Sequence, residues 1–347
     1  MSAEQEEAYD TKEDDESYTA KSVLGAKRAT PRQHDYLFAG VARALGAEAN
    51  VIFATDRTQR FWSRGLKSMD QFWYTLVAVR APGDPDSKSV FVDSGSGLPY
   101  GVVPWRATGA ATFVCTSKGS QSVIIPPALP KVNRADTKVA VVFGEEGEGH
   151  TAKWYRNAGG RRGWTTGGGC ATWTPTSGRR PWGPLPRGRN DVEIVSLEAP
   201  GLSDSVGPFE LACDIDLGDS GITEDISRYS FPFVGPWWPP TPKFPSATRT
   251  GMVVFEFPFA YIVAVDVAAP AGFKSGTVPS PVELNSPFGH YQLVVEKTET
   301  GFHVDRGLVL YALVVNVADY PALRSFFQDV AKHDQALLTF ERARGAR

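Results

Sequence analysis

Leu37, Phe38, Val41 and Leu45 recur at the three- and four-residue spacing of one helical face, with Asp35 placed to cap the start and Gly46 to stop it. The spacing predicts a helix over 35–46. Downstream the rhythm changes to short apolar runs: NVIFA (50–54), FWYTLVAV (72–79), SVFVD (89–93), ATFVC (111–115) and SVII (122–125), bounded by Gly, Pro and Asp turns. One helix packed on an antiparallel sheet is the assembly these runs predict over 21–128.

At PPALPKVN the text turns into a linker, and beyond it short strands alternate with Pro and Gly. Strands are expected at 138–143, 191–197, 208–216, 252–257, 260–268, 290–296 and 308–317, which suggests β-sandwich-like modules over 129–250 and 251–347. The stretch YPALRSFFQDVAKHD closes the chain as a helix: Pro321 suits an early helical position, and Leu323, Phe326, Phe327 and Val330 share a face. The fold class expected is α+β, a small helix-plus-sheet domain followed by β-rich modules and a terminal helix.

Composition narrows the chemistry. With 347 residues, 42% of them hydrophobic, the chain can bury a real core, and its formal charge of −3 gives no basic surface of the kind nucleic acid requires. Cys115, Cys170 and Cys213 form no CxxC and cannot all pair, and the five His show no metal-ligand spacing, so no metal or cofactor is expected. Residues 1–20 are acidic and aperiodic and read as a solvated tail. There is no basic and apolar leader at the start and no run of apolar residues long enough to cross a bilayer, so the chain as written reads as soluble.

Two stretches carry a possible binding chemistry. Residues 157–190 interleave six Arg with Trp164, Trp173 and Trp182 among glycines, a composition seen at single-stranded nucleic acid or anionic glycan sites. The tract has neither helical nor strand period, and reads either as a long surface loop or as coding sequence in a shifted frame. SFPFVGPWWPPTPKFP (230–245) reads either as a polyproline ligand for a partner's aromatic groove or as an ordered strap between elements.

The helix text DYLFAGVARALGAEANVIFATD, followed by DQFWYTLVAVRA and SVFVDSGSGLPYGVVPW, resembles the helix and next strands of the bacterial transglutaminase-like family, which has a papain-like fold. The likeness extends to VVFEFPFAYIVAVDV and the terminal helix, which resemble the C-terminal part of multidomain bacterial proteins where a domain of unknown function precedes that core. Active members carry a Cys at the helix start, a His on the next strand and an Asp on the strand after. The resemblance lays these positions on Gln33, on Tyr74 or its neighbour Trp73, and on Asp93. An amide cannot serve as the nucleophile and a phenol is a poor base at neutral pH, so the triad positions are vestigial and no catalytic residue is expected. His34 reads as a surface residue. Asp93 before SGSG also reads as a turn former, and the two readings stand side by side.

The resemblance thus implies a non-catalytic protein that binds or scaffolds, with a protein or peptide as the partner class. Two alternatives stay open: an active thiol peptidase or acyltransferase using another residue, and glycan binding by the β-modules, which needs Trp residues clustered on one open sheet face. Resembled proteins are often exported through a signal on an N-terminal part, so a longer upstream frame is an expectation.

Overall fold

The computed structural model describes residues 19–26, 29–96, 98–116, 119–144, 150–158, 193–198, 209–218, 223–225, 228–233 and 241–343. The acidic tail before residue 19, the Arg/Trp tract from 159 onward with Cys170, and 234–240 of the aromatic strap lie outside them. The chain divides into two compact units, Met1–Pro127 and Ala128–Arg347. Both are mixed α and β with strand dominant.

In the N-terminal unit, helices α1 (Ala20–Ala26) and α2 (Pro31–Ala44) precede strands β1 (Glu48–Ala54), β2 (Tyr74–Arg80), β3 (Val90–Val92), β4 (Ala111–Thr116) and β5 (Gly119–Ile124). The sheet runs β3-β2-β1-β4-β5, with every pairing antiparallel. Helix α2 begins earlier than its apolar spacing suggests. Thr30, not Asp35, is the N-cap: its hydroxyl accepts from the Gln33 amide at 3.2 Å, while Gln33 Oε1 accepts from the Thr30 amide at 2.8 Å. This reciprocal box, with Pro31 in the first turn, outcompetes a later start because it satisfies two otherwise orphaned N–H groups. Gly46, at φ 89°, turns the chain out of the helix as expected.

Phe38, Ala39 and Ala42 pack on Ala49, Val51, Phe53 and Val77, whereas Val41 and Leu45 are exposed. The core face is therefore rotated from the one first read, toward two alanines that let helix and sheet approach closely. Ile52, Ala54 and Leu76 point to the opposite face and bury against Val103, Ala107, Val114 and Ile125. A sheet covered on both faces explains why NVIFA is a continuous apolar run instead of an alternating one.

The second unit is built on one eight-stranded sheet, in which β6 (Arg134–Val142) pairs antiparallel with β7 (His150–Ala158), and β9 (Phe209–Gly218) lies between β7 and β8 (Glu193–Glu198). On its other side β6 runs parallel to β13 (Phe259–Ala268), followed by β17 (Gly301–Leu310), β16 (Gly289–Lys297) and β15 (Val282–Ser286). The expected boundary near 250 is thus corrected. Strands from both sides of it share a sheet: β13 pairs with β6 along one edge and with β17 along the other. A four-stranded sheet holds β10 (Thr223–Asp225), β11 (Arg228–Pro232), β19 (Leu337–Arg342) and β14 (Phe273–Ser275) in that order. Phe302 of the large sheet meets Phe340 of the small one at 4.9 Å between ring centres, and Phe143 adds edge contacts to Tyr229 and Phe231.

The strand expected over 308–317 is broken. The amides of Tyr311 and Ala312 both donate to the Phe288 carbonyl, at 2.8 and 3.2 Å, and turn the chain before the two-residue β18 (Val314–Val315) pairs with β12 (Val253–Val254). Helix α3 (Tyr320–His333) buries Leu323, Phe326, Phe327 and Val330, the face read from the sequence. Phe244 of the 230–245 stretch and Ser246 just after it strap it down: Phe244 meets Tyr320 edge-on and Phe327 at a tilt, its carbonyl accepts from Arg324 Nε at 3.1 Å, and Tyr320 donates to the Ser246 carbonyl at 2.6 Å.

At the C-terminal end of α3, Asp334 receives Arg306 Nη2 at 2.9 Å, Arg306 Nε at 3.2 Å and Tyr291 Oη at 2.9 Å. Arg306 is 1% exposed. Burial and the Asp334 charge push the Tyr291 phenol far up, so it stays a donor.

Candidate functional site

The start of α2 and the end of β3 meet. Thr30 caps the helix, Pro31 opens it, and Gly95 lies so close that an added Cβ would sit 2.4 Å from Pro31 Cα and 2.6 Å from its carbonyl oxygen. One turn along, Asp35 faces inward, 1% exposed, and its Oδ1 accepts from the Ser94 amide at 2.9 Å and the Ser94 hydroxyl at 2.7 Å. Its Oδ2 is buried and finds no hydrogen-bond partner among the described residues. Burial drives the Asp35 carboxyl up to about 7; the Ser94 bonds oppose this, and the charge of nearby Asp93 adds to it. Asp93, 6% exposed, is also raised by burial, partly offset by bonds from Ser96 and Gly95.

Two of the expected positions are therefore on adjoining elements. β2 and β3 are hydrogen-bonded neighbours, with Val77 opposite Val92, and Asp93 follows directly. Their side chains are engaged locally, however: the Gln33 amide closes the helix cap, and Asp93 Oδ1 accepts from the Ser96 amide at 3.0 Å, the turn-forming bond.

Tyr74 needs correction. It packs with Leu76 and Ile52 on the face away from α2, because alternation along β2 sends Thr75 and Val77 toward the helix. Trp73, on the same parity as Thr75, is 56% exposed and lies just before the strand, its amide donating to the Ala54 carbonyl at 3.0 Å. His34 is exposed on α2. Outside the junction, Gln33, Arg32 and Tyr36 join Val23 of α1 in a groove of about 350 Å³.

Asp35 and Ser94 escaped the reading of the sequence as a site. The signal was present: Asp35 precedes Phe38 and Ala39 by three and four residues, which places it on the buried stripe instead of at the cap. Elsewhere, Cys213 is buried and its thiol is pushed up to about 11 by burial, the opposite of an activated nucleophile. Among the described residues no group of three or more His, Cys, Asp or Glu is placed to hold a metal ion, and no helix is long and apolar enough to cross a membrane.

Comparison with known proteins adds two findings. Residues 236–340 match a domain of unknown function with solved structure, DUF3858. The fold is similar to a chain from Parabacteroides distasonis ATCC 8503 described as a "putative protease", at 14% identity and a TM-score of 0.46, over 93% of this chain and 46% of that one. The present chain thus spans about half the length of that protein. Among curated proteins, none matches.

Proposed function

We propose that this is a non-catalytic binding or scaffolding protein, its N-terminal unit a transglutaminase-like frame without a nucleophile or a base. One observation carries the reading: the helix-start position that would need a thiol holds Gln33, and its amide is spent on the N-cap. The groups gathered beside it are two carboxyls and a serine hydroxyl. A carboxyl bonded to its own turn and an amide bonded to its own helix can present a surface, but they have no reactive thiolate to orient. The groove beside Gln33, Arg32 and Tyr36 is where such a unit would offer mixed polar and apolar surface to a peptide.

The test is ammonia release from glutaminyl substrates with an added amine, measured before and after thiol alkylation. No turnover is expected, nor any in a Gln33→Cys variant, since Tyr74 faces the other side of the sheet and Thr75 is no base. Alkylation-sensitive turnover by the native chain would overturn the reading and favour a thiol enzyme.

A further inference from the structure

Asp35 is an acid in an unusual position. It is buried beneath the second turn of α2, one oxygen is held by Ser94, the other has no donor among the described residues, and its charged neighbour is a second buried acid. Across from it, β1 and β2 present Ala49, Val51, Phe53, Thr75 and Val77, none of them charged. The nearest ionic groups on those strands, Glu48 and Arg80, bond each other at 2.5 Å. On α2 itself Arg32 and His34 are exposed, and on the β3 side the charged group is Asp93. Arg43, further along α2, donates from its Nε to the Ala49 carbonyl, and Lys21 lies on α1; among the described residues none of these cations is bonded to Asp35. A proton on Oδ2 removes the charge and gives the orphaned oxygen a hydrogen to share, while Oδ1 keeps both bonds from Ser94.

We propose that the Asp35–Ser94 link is a proton-dependent latch between the start of α2 and the turn after β3, closed when Asp35 is neutral and loosened when Asp35 and Asp93 are both charged. The device does not depend on the unit binding a partner. The sign follows from linkage. A solvent-exposed Asp releases its proton at about 3.9, whereas Asp35 in the closed junction holds its proton up to about 7. Between those values the closed form binds more protons than an opened one, so closure is favoured at low pH and is progressively lost as pH rises to about 7. Opening then grows by up to roughly tenfold per pH unit in that window and levels off above it. The close packing of Gly95 on Pro31 means that the turn cannot adjust without separating from the helix start.

The experiment is hydrogen exchange on the full chain, corrected for intrinsic exchange, following the Ser94 amide from pH 5 to 8. Protection should fall from pH 5 to about 7 and then level off in the native chain, and become flat in Asp35→Asn, which keeps the side-chain shape without the titration. Asp93→Asn should fold with the Ser94 bonds in place and show a smaller fall, because the like charge is gone. Flat protection in the native chain, or a fall that persists unchanged in Asp35→Asn, would overturn the proposal.

Discussion

Each unit has an aspartate withdrawn from solvent on or just beyond a helix, Asp334 mostly covered and Asp35 buried, and the two are treated in opposite ways. Asp334 beside α3 meets a guanidinium on both oxygens and a phenol on one, so its charge is neutralised and its lone pairs are used. Asp35 in α2 meets one serine and a second carboxyl. A charge removed from water costs several kcal/mol unless it is paired and hydrogen-bonded. The first aspartate is therefore a fastener held by its partners, while the second is a place where stability depends on the solution.

The comparison breaks most visibly if the fastener is cut. Arg306→Met leaves Asp334 with the neutral donors Tyr291 and Thr241 and should cost the C-terminal unit about 3–5 kcal/mol, seen as a lower urea midpoint in that unit's transition; a loss under about 1 kcal/mol would mean the pair is dispensable. Gly95→Ala forces a Cβ into the Pro31 backbone and should destabilise the N-terminal unit by about 1–3 kcal/mol, while leaving the transition of the other unit in place. If both transitions move together, the units do not unfold independently.

Asp35→Asn sharpens the contrast through its sign. The variant's stability relative to the native chain should rise by roughly 2–3 kcal/mol from pH 5 to pH 7 and then level off, because across that window the unfolded carboxyl is ionised while the folded one keeps its proton up to about 7. A variant that is destabilised equally at both values would show Asp35 to be an ordinary hydrogen-bond acceptor. The smallest effect belongs to the cap: Thr30→Ala should cost about 1 kcal/mol, with no pH dependence and no effect on the C-terminal unit, as read by thermal melting at pH 5 and 8.

Much of the architecture was legible because it rests on periodicity. The apolar face of α3, the strands of the first sheet and the helix stop at Gly46 follow from spacing and a single glycine. What was not legible involves residues far apart or local competition. The pairing of β6 with β13 joins segments more than a hundred positions apart, which no local pattern encodes. The face carrying Tyr74 depends on a one-residue register along β2, and spacing alone does not set it. The cap at Thr30 won over Asp35 because a capping box reads correctly only when the residue three positions on is taken with it. Asp35 reads in the sequence as a cap, and its burial beneath the helix instead drives its carboxyl up to about 7.

The parallel union of β6 with β13 has a practical meaning for anyone excising the part of the chain that matches DUF3858. A piece cut to residues 236–340 keeps β13, β17, β16 and α3 but discards β6, and so strips one border from Phe259–Ala268, a ten-residue strand reading FAYIVAVDVA. The unpaired N–H and C=O groups along that long, largely apolar rim would recruit other chains into intermolecular sheet and drive the fragment out of solution. Retaining Arg134–Val142 in the piece would keep that rim covered.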